Sequence, residues 1–236
     1  VSFDGFQALT DLTLVFDEGE LCSIIGPNGA GKTTLMDVIT GKTRPDKGTV
    51  FFVHDLENLT TLSEHEIVER GVGRKFQRPT IFPDHSLWEN ISIAKRSTKS
   101  AFRCLFARET NEERDAIAET LTTVGLLEHK NARAATLSHG QKQWLEIGML
   151  LAQKPRVLLV DEPVAGMTQS EIEKTANLLR SLRGKHTVIV VEHDMEFVRS
   201  LECDEVTVLH EGKLLAQGSL EFVQNDRRVV EVYLGE

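Results

Sequence analysis

Residues 21–40 read LCSIIGPNGAGKTTLMDVIT. An apolar run from Leu21 to Ile25 passes through a glycine-rich turn into a segment with helical spacing, and Gly26 to Thr33 satisfy the whole pattern G-x-x-x-x-G-K-[ST]. A strand before and a helix after is the context that pattern requires. Glycines let successive backbone N–H groups curl around phosphate oxygens, and the N-terminus of the following helix adds its dipole. We therefore read Gly26, Pro27, Asn28, Gly29, Ala30, Gly31, Lys32 and Thr33 as a phosphate cradle. Lys32 would neutralise the outer phosphates and the Thr33 hydroxyl would ligate Mg²⁺, with Thr34 a further phosphate contact.

A second apolar run, Val157 to Val160, ends in Asp161, Glu162 and Pro163. Such a run suits a buried strand of a parallel sheet, which hands whatever follows it to the rim where ligands sit. Asp161 would reach Mg²⁺ directly or through water, and Glu162 would act as general base on a water beside the outer phosphate. A glycine-rich structural turn with a solvated lysine would leave these carboxylates needing a separate explanation.

The 236 residues suffice for one large domain, or one with a smaller lobe. Aromatics make up only 6%, so the core should rely on Leu, Ile and Val. A net charge of -9 and a sequence pI near 5.4 disfavour nonspecific nucleic-acid binding. Cys22, Cys104 and Cys203 lack metal-ligand spacing and read as buried or free thiols. No apolar run reaches the roughly 18 residues of a membrane span. No export signal is visible, and a chain opening at Val1 inside an edge-strand pattern suggests an earlier natural start.

Along the chain, residues 9–25 alternate apolar and polar around Glu18, Gly19 and Glu20, which predicts two strands joined by a tight turn. A short helix stopped by Gly41 follows, then a strand in GTVFFV and another in GVGRKFQ ending at Gln77. Ser63 and Glu66 match a capping box. Residues 87–151 carry helical periodicity, with Ile117, Leu121 and Val124 on one face, and form a candidate helical lobe. The basic tract from Lys95 to Arg108 reads as a solvated loop or helix surface. Strands and helices then alternate to Gly218, implying an α/β sheet covered by helices.

With LSHGQ at Leu137 to Gln141 and VLLVDEP at Val157 to Pro163, the chain closely resembles ABC-type ATPases, the nucleotide-binding subunits of ATP-driven transporters. Gln77 stands at that family's Gln loop, AGMT at Ala165 to Thr168 at its dimer-contact loop, and His193 at its switch histidine, so the resemblance covers nearly the whole chain. It implies an α/β P-loop NTPase of ABC type, a RecA-like sheet core with an antiparallel β lobe and a helical lobe. The whole chain, residues 1–236, would be a single domain with the helical lobe at about 87–151. ATP and Mg²⁺ are the implied cofactors, with Thr33, Gln77 and Asp161 around the metal. Two subunits, identical or closely related, would face each other head to tail. Ser138, His139, Gly140 and Gln141 would close over the nucleotide held by the partner. Glu162 is the base in this scheme, and His193 orients and senses the outer phosphate.

The resemblance places an aromatic against adenine, for which Phe3 fits and Phe6 is second; both also suit ordinary β-lobe packing. His139 stands where Gly is more usual, either filling the interface or touching nucleotide. The stretch RPTIFPDHSLWEN would receive integral membrane permease subunits, with Phe82, Leu87 and Trp88 as contacts or as core. The subunit would sit on the cytoplasmic face of the inner or plasma membrane, serving a periplasmic or extracellular substrate-binding protein indirectly and no nucleic acid. DEPVAGMT, SHGQKQWLEIG and DRRVVEVYLGE look like the branched-chain amino acid importer group, the second most like its urea importer member. The expectation is an ATPase subunit powering urea import, with a branched-chain amino acid importer or a lipopolysaccharide-type exporter as alternatives and a non-transport ABC ATPase behind them.

Overall fold

The structure, a computed structural model, describes residues 1–52, 56–75, 80–95 and 109–234. Its strands are β1 (Ser2–Phe3), β2 (Phe6–Gln7), β3 (Leu21–Ile25), β4 (Phe51–Phe52), β5 (Glu57–Asn58), β6 (Val72–Lys75), β7 (Val157–Asp161), β8 (Thr187–Val191), β9 (Glu205–His210) and β10 (Lys213–Gly218). The helices are α1 (Lys32–Ile39), α2 (Glu64–Glu69), α3 (Leu87–Lys95), α4 (Asn111–Thr123), α5 (His139–Leu151), α6 (Gln169–Leu182), α7 (Met195–Leu201), α8 (Leu220–Asn225) and α9 (Arg227–Leu234).

Five apolar or small residues in succession need cover on both faces, and β3 finds it inside a six-stranded sheet of order β10-β9-β3-β8-β7-β6. β3 runs parallel to β8 and β9, β7 runs parallel to β8, and β10 closes one edge antiparallel to β9. Successive side chains on a strand face opposite ways. Ile24, Leu159, Ile189, Val191 and Leu209 accordingly pack with Leu35, Met36 and Val38 of α1 in one core. Ile25, Val206 and Val208 pack in a second core with Val198 of α7, Val223 of α8 and Val229 of α9. Both cores are aliphatic, as the low aromatic content predicts. Cys22 and Cys203 are free, and burial pushes both thiols up, which keeps them protonated.

The chain forms two compact units. The first comprises Val1–Arg74, Arg156–Glu162 and Leu179–Glu236; the second comprises Lys75–Pro155 and Pro163–Leu178. In the second unit Leu87 and Ile91 of α3, Ile117 and Leu121 of α4, and Leu145 of α5 are all essentially inaccessible. Gly148 lets α5 close on its neighbours: a Cβ there would lie 3.1 Å from Ile91 Cδ1 and 3.4 Å from Val124. Capping boxes start α2 at Ser63, α4 at Thr110 and α5 at Ser138.

The expected strand before Gly19 is not a strand. Residues 11–16 alternate exposed and half-buried, and Leu12, Leu14 and Phe16 pack on the first core, yet among the described residues no neighbouring strand pairs with them. Alternation reports which side of an extended chain is covered, whereas a strand also needs a neighbour to complete its hydrogen bonds. Outside the six-stranded sheet, the antiparallel elements among the described residues are the hairpin β1–β2 and the pair β4–β5, and the described part of GTVFFV contributes Phe51–Phe52. β6 is described over Val72–Lys75, and Gln77, Cys104 and residues 96–108 of the basic tract lie outside the described residues.

Leu159, at 0% exposure in β7, anchors the first core. Leu159→Ala should cost about 2–5 kcal/mol, read as a lower urea midpoint at unchanged m-value.

Candidate functional site

The turn after β3 is shaped by contacts that exclude side chains. A Cβ on Gly26 would lie 2.3 Å from Leu209 O, and one on Gly31 would lie 2.7 Å from Ala8 O, with Gly31 also at φ +98°. Only glycine fits these two positions. The chain then enters α1 with Leu35 N bonded to Gly31 O at 2.9 Å. The backbone N–H groups of Gly29, Gly31, Lys32, Thr33 and Thr34 donate to no described residue, so they form a nest of donors suited to phosphate oxygens. Lys32 folds over the turn, its Nζ donating to Gly26 O at 2.6 Å and Pro27 O at 3.0 Å.

The end of β7 lies close to this turn. Burial pushes the Lys32 ammonium down from its ordinary value, while the Glu162, Asp161 and Glu192 carboxylates pull it up. Asp161 is 3% exposed, and its Oδ2 lies 3.4 Å from Arg74 Nη2. The other arm of Arg74 bonds Asp37 of α1. Arg74 is itself buried, so one guanidinium serves two carboxylates, one on the helix that follows the cradle and one at the end of β7. Glu162 adopts φ +43°, a sparsely populated conformation for a residue with a side chain, and its N–H donates to Val191 O at 3.0 Å. His193 Nδ1 stands 3.6 Å from Glu162 Oε1 and 3.8 Å from Glu192 Oε2.

The first unit therefore brings together Gly26 to Thr34, Asp161, Glu162 and His193. The oxygen donors available to a hard cation, the exposed Thr33 hydroxyl and the Asp161 carboxylate, suit Mg²⁺. Phe3 and Phe6 face each other across the β1–β2 hairpin, 48% and 66% exposed. Gln77 lies outside the described residues.

Ser138, His139, Gly140 and Gln141 belong to the second unit, at the start of α5. Ser138 Oγ accepts from Gln141 N at 3.2 Å, and Gln141 Oε1 accepts from Ser138 N at 2.9 Å. His139 is exposed, with Nε2 3.3 Å from Gln143 Nε2. Leu87 is core at 0% exposure. Trp88 is half-buried and donates from Nε1 to Glu109 Oε2 at 3.1 Å, while Phe82 is exposed beside His85.

A family model described as ABC transporter matches residues 9–165, well over half of the chain. This chain belongs to the ABC transporter family. The cassette is similar to the high-affinity branched-chain amino acid transport ATP-binding protein LivG of Salmonella typhimurium, 35% identical over 99% of this chain and 94% of that protein. Among solved structures it is similar to an ATP-binding cassette of an ABC transporter in its ADP conformation. That match has TM-score 0.85 and 31% identity, covering 99% of this chain and 95% of the other. It is also similar to a dimeric cassette in a post-hydrolysis state bound to ADP and Pi, with TM-score 0.75, 27% identity and 91% of each chain covered. A second model, described as branched-chain amino acid ATP-binding cassette transporter, matches residues 213–236. The cassette is an ATPase that uses ATP with Mg²⁺.

These matches correct the expectation of a urea importer: both the near full-length relative and the model for the last residues are named for branched-chain amino acids. The segment SHGQKQWLEIG runs from Ser138, the N-cap of α5, to Gly148 within it. Among the described residues no helix of the cassette is long and apolar enough to cross a membrane.

Sequence reading missed two residues, one in each unit. Arg74 carried no signal, being one basic residue in a short strand. Glu171 of α6 reaches Ser138, and its signal was the pair Thr168 and Glu171, a T-x-x-E cap before a helix. Arg74→Met should destabilise the cassette by about 3–5 kcal/mol, because it leaves the buried Asp161 carboxylate without its guanidinium partner, while Asp37 keeps Lys42. Chemical denaturation checks the value.

Proposed function

We propose that the chain is the ATP-hydrolysing subunit of a branched-chain amino acid importer. It would work as one of two ATPase subunits joined to integral membrane permease subunits on the cytoplasmic face of the membrane. A substrate-binding protein outside would act on it only indirectly. The observation that carries the catalytic part is the meeting of Lys32 with the carboxylates at the end of β7. The names borne by LivG and by the model for residues 213–236 support the substrate class, and the dimeric cassette bound to ADP and Pi supports the paired arrangement.

In this reading the nest from Gly26 to Thr34 holds the phosphates, and Lys32 leaves its two carbonyl partners for the outer phosphate oxygens. Thr33, Asp161 and Gln77 would hold Mg²⁺, which when bound would neutralise charge on the outer phosphates. Glu162 takes a proton from water as the water oxygen bonds to the terminal phosphorus. The bond from that phosphorus to the bridging oxygen breaks, giving ADP and inorganic phosphate. His193, beside Glu162, orients this water and the phosphate. Phe3 packs on adenine, within a single domain whose helical lobe spans about 87–151. Ser138, His139, Gly140 and Gln141 reach the nucleotide of the second subunit, where the N-terminus of α5 faces its outer phosphate. Phe82, exposed near the start of α3, fits a contact with the permease.

Lys32→Ala should abolish measurable Mg·ATP binding in calorimetric titration, since it removes the cation from a preformed nest; an unchanged dissociation constant would contradict the placement. Glu162→Gln should keep ATP binding and lower single-turnover phosphate release by about 10²–10⁴-fold. With the negative charge beside the triphosphate removed, it should also accumulate a closed ATP-bound dimer visible in light scattering. Wild-type hydrolysis by this variant would make His193 the next candidate to activate water. Transport itself is tested by reconstituting the complex with its permease and measuring ATPase stimulation by leucine, isoleucine or valine presented on the binding protein. No stimulation by any of them would sink the substrate assignment.

A further inference from the structure

Ser138 is not idle at the start of α5. Its hydroxyl donates to Glu171 Oε1 at 2.9 Å, while Glu171 Oε2 accepts from the backbone N–H and the hydroxyl of Thr168, each at 3.0 Å. The carboxylate lies over the first turn of α5: a Cβ on Gly140 would sit 2.6 Å from Glu171 Oε1 and 2.7 Å from its Cδ. The space that Gly140 leaves open thus holds an anion of the chain itself, at the positive end of a 13-residue helix. The Thr168 N–H and then the Ser138 hydroxyl hold this carboxyl below the usual carboxylate range, so it is ionised at neutral pH. A serine hydroxyl has one hydrogen to donate, and here it is spent on Glu171.

We propose that Glu171 is a positioning residue that occupies, as an internal anion, the end of α5 that the outer phosphate of the second subunit's nucleotide must take. Closure of the dimer then exchanges one anion for another at Ser138 and Gly140. The proposal rests on the reading of Ser138 and Gly140 given above. Thr168 makes the exchange local. Its two donors retain Glu171 Oε2 while Oε1 releases the serine, so only the end of one side chain has to turn. Until that happens the carboxylate keeps Ser138 in place and the first turn of α5 neutralised. When the phosphate arrives, the same charge opposes it, and salt screens that opposition.

The test is a Mg·ATP titration of hydrolysis in the complete transporter, comparing wild type with Glu171→Gln at roughly 50 and 300 mM salt. The amide oxygen can still accept from Thr168, so the substitution removes the charge and keeps the cap; thermal melts check that the fold is retained. The KM for ATP should fall about 3–10-fold at the lower salt, with kcat within about threefold, and the gap from wild type should shrink at the higher salt. Glu171→Asp, which keeps the charge, should stay nearer the wild-type KM than the Gln variant. ATP affinity of the isolated chain should not change, because the cradle from Gly26 to Thr34 is untouched. A KM that is unchanged or raised in Glu171→Gln, or a gap equal at both salts, overturns the proposal and leaves Glu171 a structural cap. A Ser138→Arg complex hydrolysing at the wild-type rate would instead sink the underlying reading of Ser138, so the two failures are told apart.

Discussion

The parallel register of β7 against β8, in which Asp161 stands opposite Val191, determines what meets at the carboxyl end of the sheet. β8 is in turn paired with β3 so that Ile24 also stands opposite Val191. The three strands therefore end at one level: β3 releases the chain into the glycine turn, β7 into Glu162, and β8 into Glu192 and His193. A slip of one residue would turn Asp161 to the opposite face of the sheet and remove it from Lys32. Burial of the three strands on both faces makes such a slip costly, since every residue of β8 and all but the first of β7 would exchange one packed environment for another.

That register concentrates charge in a place with little water, and the first unit compensates it locally. Arg74 reaches Asp37 and Asp161 together, binding the helix after the cradle to the end of β7. Lys32 is pushed towards neutrality by burial and restored towards its charged form by the carboxylates around it. An ammonium held by two carbonyl oxygens and surrounded by acids is poised to exchange those partners for a polyanion. The left-handed conformation of Glu162 fits the same picture, because strain at a single residue persists only where the surrounding structure imposes it.

The second unit fixes the N-terminus of α5. Its aliphatic packing, with Gly148 allowing close approach, gives α5 a rigid base. At the tip, the reciprocal bonds of Ser138 and Gln141 satisfy one pair of groups, and Glu171 takes the serine hydrogen. The exposed Ser138 is thus bonded to two half-buried side chains of the same unit, Gln141 and Glu171.

The cradle, the carboxylates behind an apolar run and the capping box at Ser63 were legible in the sequence. Each is a local pattern whose residues dictate the backbone conformation they occupy: glycine at positive φ, a hydroxyl before a helix, an apolar run needing cover on both faces. The extended segment at 11–16 marks the limit of such patterns, since alternation specifies a covered side and leaves open whether a neighbouring strand is there to pair. Leu87 as core with Phe82 exposed, Arg74 shared by two aspartates and Glu171 bound to Ser138 were decided only by the tertiary structure. Those contacts join residues tens of positions apart, and their strength comes from burial and distance, which a linear order of residues does not contain.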